Sequence, residues 1–494
     1  MKRSLCMLNM LLPAVLMPAI LVPAIFVPAI FVPAILVPTV LVPSVAKAEG
    51  GRTVARIFWQ EDADASLRWG DLKKSGREYS IAEQGVDGFP ELDASDQSLV
   101  QMVSDEGVIL VGVRDQADGT IGSGWVALNS GITEEPHGDH SHWRYTSAPQ
   151  VLTQLIDTNQ GNPAHVYHYG KSFVMANDQK NGFTILTAAS ILGAGEPSQA
   201  QAFSEGGSDH ITLAVVENKV AYATWISYQG EDSGRVDVVG LAENAGKKYS
   251  FRCPTGGLHG AIVNQGKAFF APADGVCWVD VDLEVDDDPD AVEVHYLSLG
   301  KADAEVAENA KSLTSTEGVA GGVEAPKPLR TGAFKALGKY VLCNAGKGEQ
   351  SKLCIIDASA DQPGLIEVPL NVRQDQSVSS SIVFSSASQG PLALMFAESK
   401  EKPETDQLWI AELDPNLDGD FSDAQVRTPI AVGPSKLGQH TGHHGAAVLP
   451  DGRHIAITNP GGASIWILSL SNSAVIAKLK VEGTPTRLLV QPQG

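Results

Sequence analysis

The stretch His454-Ile-Ala-Ile-Thr458, Asn459-Pro-Gly-Gly-Ala463 and Ser464-Ile-Trp-Ile-Leu468 decides the fold class. Two short apolar runs flank a turn that contains one proline and two glycines, which is typical of paired antiparallel strands. The pattern recurs along the chain, as in Val220-Ala-Tyr-Ala-Thr-Trp-Ile226 and Ala268-Phe-Phe-Ala-Pro272. Long segments with the period of a helix are scarce, so the sequence predicts an all-β protein.

The spacing of these segments predicts a β-propeller. Comparable segments begin near residues 105, 165, 210, 259, 332, 381 and 443, and repeats of roughly 40–50 residues with several strands each are typical of propeller blades. Seven blades are therefore expected, with eight left open. The C-terminal Thr486-Arg-Leu-Leu-Val490 is expected to pair with a strand near Thr53-Val-Ala-Arg-Ile57 and to close the ring, as a single domain over residues 49–494.

Residues 1–48 are predicted to be an export signal. Lys2 and Arg3 precede a long apolar region, and Val45-Ala-Lys-Ala48 provides a small-residue cleavage pattern. Proline recurs every five residues in the apolar region, and each internal proline costs a helix roughly 3 kcal/mol. A stable membrane-spanning helix is therefore disfavoured, and cleavage of the signal is expected, with a retained membrane anchor as the alternative. The mature protein is expected to be periplasmic or secreted.

The chain is strongly acidic, with a formal net charge of −22. Such a surface repels nucleic acid and anionic lipid and attracts cations. We therefore expect no nucleic-acid partner, no membrane partner after the signal is removed, and a monomer. A stretch near 280–325, acidic and then rich in alanine and glutamate, is expected to be a surface insertion. The sequence contains no G-x-S-x-G, no phosphate-binding loop and no H-E-x-x-H, which are signs of common enzyme classes.

Histidine is scarce, with 12 in 494 residues, yet several histidines recur at one position of the repeat. Those that begin or precede an apolar strand are His165, His210, His259, His443 and His444. The innermost strands of a propeller line its central channel, so these side chains are expected to converge near one mouth of it. Neutral imidazoles are preferred ligands of zinc. The alternative is that each histidine is separately a hydrogen-bonded turn residue.

A second histidine cluster lies between two strand-like stretches. The run Glu134-Glu-Pro-His-Gly-Asp-His-Ser-His142 is predicted to be a polar loop. Its candidate metal ligands are His137, Asp139, His140 and His142, which are close enough in sequence to bind one cation without help from the fold. A solvated loop without metal is the alternative.

The acidic run Asp414-Pro-Asn-Leu-Asp-Gly-Asp-Phe-Ser-Asp423 is a candidate calcium loop. Its oxygen-bearing side chains at alternate positions match the first half of such a loop, but Gln425 stands where a bidentate glutamate is needed. An acidic hairpin without metal is the alternative. The candidate ligands are Asp414, Asn416, Asp418, Asp420 and Asp423.

Four cysteines follow the predicted signal, and an even number in an exported protein indicates disulfides. Pairing of sequence neighbours predicts Cys253–Cys277 and Cys343–Cys354. A zinc site built from all four thiolates is the alternative, although the C-x2-C spacing of such sites is missing.

Several motifs, in order along the chain, together resemble the AztD-type periplasmic zinc metallochaperones. They are Gly138-Asp-His140, Pro149-Gln-Val-Leu152, Gly161-Asn-Pro-Ala-His-Val166, Cys253-Pro-Thr-Gly-Gly-Leu-His-Gly-Ala261, Asp274-Gly-Val-Cys-Trp-Val279 and His443-His-Gly-Ala-Ala-Val448. The resemblance covers roughly residues 105–470, with large gaps. It implies a secreted β-propeller that hands zinc to the solute-binding protein of an ABC importer, with family histidines at His140, His165, His259, His443 and His444. The chain departs from the family in its acidic insertion and its long signal.

We therefore expect a zinc-binding carrier rather than a catalyst, with calcium as a second candidate metal. The expected mechanism is capture by the loop at residues 137–142 and tighter binding at the channel mouth. The resemblance implies that the acceptor is the periplasmic zinc-binding protein of an ABC importer. Two alternatives stay open: a metal-dependent hydrolase or lyase that uses the same histidines, and a non-catalytic propeller that binds proteins.

Overall fold

The computed structural model of the chain describes residues 51–117, 119–138, 140–302, 327–386, 388–438 and 441–492. The predicted export signal at 1–48 lies outside these residues, as does the second half of the predicted acidic insertion. Within the described residues, no helix is both long and apolar enough to cross a membrane.

Eight antiparallel sheets follow one another along the described chain, and each is one blade of a β-propeller. Blade 1 begins with β1 (Arg52–Glu61), β2 (Ser66–Ser75), β3 (Glu78–Ser80) and β4 (Gln84–Gly85). Blade 2 contains β5 (Gln97–Asp105), β6 (Val108–Asp115), β7 (Ser123–Asn129) and, after a hairpin of β8 (Ile132–His137) and β9 (His140–Tyr145), β10 (Gln150–Asp157). Blade 3 contains β11 (Pro163–Tyr169), β12 (Ser172–Asn177), β13 (Gly182–Thr187) and β14 (Ala202–Glu205). Blade 4 contains β15 (Leu213–Val216), β16 (Val220–Thr224), β17 (Arg235–Gly240) and β18 (Gly246–Arg252).

The second half of the ring has the same construction. Blade 5 contains β19 (Ala261–Asn264), β20 (Lys267–Phe270), β21 (Gly275–Asp280) and β22 (His295–Ser298). Blade 6 contains β23 (Lys335–Leu337), β24 (Tyr340–Ala345), β25 (Lys352–Asp357) and β26 (Leu365–Pro369). Blade 7 contains β27 (Ser377–Val378), β28 (Ile382–Ser386), β29 (Gly390–Glu398), β30 (Gln407–Glu412), β31 (Gln425–Val426) and β32 (Ile430–Ala431). Blade 8 contains β33 (Ala446–Val448), β34 (His454–Asn459), β35 (Ser464–Ser469) and β36 (Ala474–Lys480).

The last strand, β37 (Pro485–Gln491), closes the ring. It pairs antiparallel with β1, as the sequence predicts, and in this register Val490 lies opposite Ile57. The first strands of successive blades contact one another, and β37 lies between β33 and β5. These first strands therefore surround the central channel, and β37 takes the innermost position of blade 1.

Helical structure is sparse in the described residues. One short helix, α1 (Ala188–Gly193), lies between β13 and β14, and the side chain of Thr187 caps its N-terminus by accepting from the backbone N–H of Ser190. The 3-10 turns span Asp178–Lys180, Pro197–Ala200, Ala242–Asn244, Pro289–Ala291, Gly348–Gln350, Pro403–Thr405, Phe421–Asp423 and Pro460–Gly462.

The hydrophobic core lies between neighbouring blades. Tyr222 and Phe251 of blade 4, for example, pack edge-on against Phe270 of blade 5. Every residue of β16 is buried, because both faces of a middle strand pack against another sheet. Each fully buried large apolar side chain contributes about 1.5–3 kcal/mol. This stabilisation is spread over all the interfaces between blades, so substitutions at the channel are not expected to unfold the ring.

The count of eight blades includes one that the spacing does not reveal. The seven segment starts in the sequence correspond to blades 2–8, whereas blade 1 combines the four strands β1–β4 after residue 51 with β37 from the other end of the chain. The N-terminal strands were expected only to help close the ring. Within the predicted insertion near 280–325, His295–Ser298 form β22, because they pair with β21 as the outer strand of blade 5.

Candidate metal centre

Three histidines from consecutive blades meet at one end of the channel. His165 is the third residue of β11, and His210 and His259 lie in the segments that lead into β15 and β19. All three therefore stand near the start of an innermost strand. The backbone before His210 turns at Asp209, whose φ is 64°, and the chain after His259 turns at Gly260, whose φ is 145°. Such values favour short polar residues and glycine.

The three imidazoles converge through the same ring nitrogen. The Nε2 atoms of His165 and His210 are 3.0 Å apart, and those of His210 and His259 are 3.2 Å apart. Two nitrogens bound to a tetrahedral zinc at about 2.0–2.1 Å are about 3.3 Å apart. The spacing is therefore that of three ligands around one ion, and these three residues form one of two ligand-type groups of this size in the described residues.

The far nitrogens of two rings are held by acceptors. Nδ1 of His210 lies 3.2 Å from Oδ2 of Asp178, and Nδ1 of His259 lies 3.0 Å from the carbonyl oxygen of Gly332. A carbonyl only accepts, so Nδ1 of His259 carries the proton, and the carboxylate of Asp178, which Arg114 also contacts, has the same effect on His210. In both rings Nε2 is left with its lone pair.

This arrangement places two lone pairs against each other. Nε2 of His210 and Nε2 of His259 are 3.2 Å apart, and with both protons at Nδ1 no hydrogen lies between them. A cation between the two atoms removes this repulsion. Carboxylate and carbonyl acceptors behind the rings are also the usual way in which proteins orient histidine ligands of a metal.

Gln101 lies behind His165. Its side-chain oxygen accepts from the backbone N–H of Val166 at 2.9 Å, and its amide nitrogen is 3.5 Å from Nδ1 of His165, a contact too long to set the tautomer of this ring. Burial, followed by the neighbouring His210 and His259, holds the pKa of His165 well below its usual value. Burial also lowers the pKa of His259. Neutral rings at neutral pH are the form that binds a metal.

Glycine at position 332 allows the backbone there to lie close to the ring of His259. A Cβ atom there would lie 3.3 Å from Nδ1 of His259, tighter than ordinary contact. A larger residue would therefore displace the ring or break its hydrogen bond to the Gly332 carbonyl.

His443 and His444 do not join this group, although both line the same cavity as His165 and His259. Nδ1 of His443 lies 2.7 Å from Oε2 of Glu398, and this hydrogen bond raises the pKa of His443. The side chain of His444 is fully buried, with Nδ1 at 2.6 Å from the Thr458 carbonyl and Nε2 at 3.3 Å from Asp406. Both of its nitrogens thus face acceptors.

The predicted polar loop at residues 134–142 is an exposed β-hairpin. Strands β8 and β9 pair only with each other among the described residues, and Gly138 at the tip has a φ of 65°. The rings of His137 and His142 lie side by side, with centroids 5.6 Å apart. Asp139 and the side chain of His140 are outside the described residues. The hairpin therefore presents two of its predicted ligands together at the protein surface.

The candidate calcium loop uses its oxygens for backbone hydrogen bonds. Asp414 accepts from the N–H groups of Asp418 and Gly419 at 3.0 and 2.9 Å, and Asp418 and Asp420 each cap the residue two positions later. Among the described residues, the carboxylates of this loop, including Asp423, do not form a group of three within 4.8 Å. The geometry here is that of an acidic turn.

The four cysteines are buried and lie together in the two predicted pairs. They are free thiols in this structure. Cys343 and Cys354 are directly opposite across β24 and β25. A hydrogen bond between the thiols raises the pKa of Cys253 beside Cys277 and the pKa of Cys343 beside Cys354. The two disulfides therefore remain a prediction, and each cysteine lies beside its predicted partner.

The supporting residues were missing from the sequence prediction. Gln101, Asp178 and Gly332 belong to other segments of the chain than the histidines beside which they lie, and no local sequence pattern marks them. The cavity beside the centre has a volume of about 770 Å³ and is lined by residues of inner strands around the ring. A bound ion at the three histidines would thus have an open side.

Comparison with known proteins identifies the fold. No protein-family model matches the chain, and no curated protein does either. Two solved structures of AztD from Citrobacter koseri are similar to it, one of them of apo AztD. Their identities are 14% and 16% and their TM-scores 0.56 and 0.55, and in both cases the match covers 89% of this chain and 98% of the AztD chain. The chain thus has an AztD-type propeller fold.

Proposed function

Starting from this AztD-type fold, we propose that the protein binds zinc at His165, His210 and His259 and carries it to an acceptor. The observation that supports metal binding most directly is the pair of facing Nε2 lone pairs on His210 and His259, 3.2 Å apart. Zinc suits three imidazoles in tetrahedral geometry better than calcium or magnesium, which prefer oxygen ligands.

Three protein ligands leave one position of a tetrahedral ion free. That position suits a carrier, because an incoming ligand from an acceptor protein can bind the ion before the histidines release it. The exposed hairpin with His137 and His142 provides a second, more accessible set of imidazoles. We propose that this hairpin captures zinc or presents it to the acceptor.

The direct test of metal binding is a competition titration of the chelator-treated protein with a zinc-binding dye. We expect at least one site per chain that is far tighter than millimolar. His210→Ala with His259→Ala should abolish this site. The matched control is His454→Ala, because His454 lies on β34 of blade 8 and contacts Asp451 at 2.6 Å rather than the three-histidine group. Equal zinc affinity in the double variant and the control would reject the site.

The proposal that the protein carries zinc rests on the sequence resemblance to the AztD-type metallochaperones and on the free fourth position of a zinc ion held by three histidines. We propose that the acceptor is the periplasmic zinc-binding protein of an ABC importer, reached after export and removal of residues 1–48. Stopped-flow transfer to such an acceptor should be faster than zinc release to a chelator, and the rate should rise with acceptor concentration. A rate set only by spontaneous release would contradict direct transfer.

A metal-dependent hydrolase is the second candidate, because an open zinc position faces a cavity of about 770 Å³. Water on zinc with three protein ligands reaches a pKa of about 7. The zinc-loaded protein should then cleave simple esters or lactones, and His210→Ala should remove that activity. Turnover that depends on the three histidines would favour this candidate over carriage.

A further inference from the structure

Two basic side chains face the central cavity without a carboxylate partner among the described residues. Lys335 is the first residue of β23, and Arg487 is the third residue of β37; both line the cavity. Within the described chain, the one hydrogen bond of the Arg487 guanidinium goes from Nη1 to the carbonyl oxygen of Val100. Its Nε and Nη2 donors, which form the edge that binds a carboxylate in bidentate fashion, have no partner there.

The nearest acidic groups are already engaged. Asp62 lines the cavity, but its two oxygens accept from the backbone N–H of Gly442 and the hydroxyl of Thr486, both at 2.9 Å. It acts on Arg487 only through its charge at longer range. Glu398 is bound to His443. Among the described residues that line it, the cavity has the two basic side chains of Lys335 and Arg487 against the single carboxylate of Asp62, an excess of one positive charge.

This excess is unusual for such an acidic chain. The protein has a formal net charge of −22, yet two cations in the cavity beside a candidate cation site have no carboxylate partner among the described residues. Burial lowers the pKa of Arg487, which is partly buried, whereas Lys335 is exposed. A partly buried charge such as that of Arg487 is costly unless a counter-ion joins it.

We propose that the central cavity is a binding site for a small oxyanion, a carboxylate or phosphate group, held by the Nε–Nη2 edge of Arg487 and attracted by Lys335. The planar fork of arginine matches the two oxygens of such a group, and lysine adds a point charge. The volume of about 770 Å³ admits a small organic acid as well as an inorganic ion. The site does not depend on bound metal, so it goes beyond the zinc-binding proposal.

The anion site also has a consequence for the metal centre. Arg487 and His165 line the same cavity. A guanidinium charge there disfavours a zinc ion at His165, and an anion at Arg487 offsets that effect. Anion and zinc should therefore strengthen each other's binding, by the same factor in both directions.

The test uses the metal-free full-length protein and isothermal titration with phosphate, acetate and citrate as probes. We expect saturable binding of at least one probe. Arg487→Gln should weaken it by about tenfold or more, because a charge-assisted hydrogen-bonded pair is lost. Arg373→Gln is the matched control, since Arg373 pairs with Asp375 at the surface and should leave binding unchanged.

Thermal unfolding separates loss of the site from loss of the fold. Without added anion, Arg487→Gln should unfold at the same temperature as the wild type or higher, because an unpaired cation is removed. Lys335→Gln and Arg487→Lys provide milder variants that should weaken binding less. The proposal is overturned if no probe binds the wild type, or if Arg487→Gln binds as tightly as Arg373→Gln. Phosphate binding by a protein without zinc affinity would support the anion site while rejecting the zinc proposal.

Discussion

Asp178 lies 3.2 Å from Nδ1 of His210 and so determines that Nε2 of this ring faces the channel. The same carboxylate accepts the backbone N–H of Ile211 at 3.1 Å, which fixes the segment that carries the histidine. One side chain thus sets both the position of the imidazole and its tautomer.

Replacing Asp178 by asparagine should weaken zinc binding by about 10–100-fold, the usual effect of losing the carboxylate behind a histidine ligand. The amide can still accept from Ile211, so the fold should be kept. Competition titration measures the change, and Asp357→Asn is the control because Asp357 pairs with Lys339 on blade 6. An unchanged zinc affinity in Asp178→Asn would contradict the role of the Asp178 carboxylate behind a zinc-bound His210.

Gly332→Ala should weaken zinc binding without unfolding the protein. The added Cβ would lie 3.3 Å from Nδ1 of His259 and would move the ring by a few tenths of an ångström. Gly364→Ala is a matched control, because a Cβ atom there has no neighbour within 4 Å. Zinc affinity and the unfolding temperature should be measured for both. Identical affinities in the two variants would contradict the role of His259.

The hairpin should affect the rate of zinc uptake more than its final affinity. His137, His140 and His142 replaced together by serine remove the exposed imidazoles and leave the three-histidine centre intact. Stopped-flow mixing with zinc, or with an acceptor protein, should show slower loading or transfer. If the rates match those of the wild type, the hairpin has no part in capture.

Alkylation of the oxidised, unreduced protein should find no free thiols. The structure brings Cys253 to Cys277 and Cys343 to Cys354, and a disulfide typically contributes about 2–4 kcal/mol of stability. Intact mass after alkylation under denaturing conditions gives the thiol count, and prior reduction should reveal all four of these thiols. Four labelled thiols without reduction would overturn both bridges.

The ion pair of His443 and Glu398 predicts a pH dependence of stability. Hydrogen bonding to Glu398 raises the pKa of His443 in the folded protein above its ordinary value of 6.5. The stabilisation is therefore complete below that value and is lost as the pH rises through the folded pKa. In urea unfolding of metal-free protein, His443→Gln should lower the free energy of unfolding more at pH 6 than at pH 8.5. Glu398→Gln should show the same trend, and an equal loss at both pH values would contradict it.

The sequence by itself determined the all-β class, the propeller repeat and the pairing of the C-terminal strand with the first strand that closes the ring. These features follow from local chemistry, since apolar runs and glycine turns define strands, and regular spacing defines blades. The recurrence of His165, His210 and His259 at one position of the repeat follows from the same periodicity. The spacing of the repeated segments did not reveal the eighth blade, because its strands come from both ends of the chain.

Only the tertiary structure decided which histidines meet. His444 matches the repeat position as well as His259 does, yet its ring is buried against Phe396 with both nitrogens facing acceptors. The positions of Asp178, Gln101 and Gly332 behind the ligands, and of Arg487 across the cavity, depend on contacts between blades. Such contacts join residues far apart in sequence, so no local pattern encodes them, and the chemistry of the centre emerges only when the ring closes.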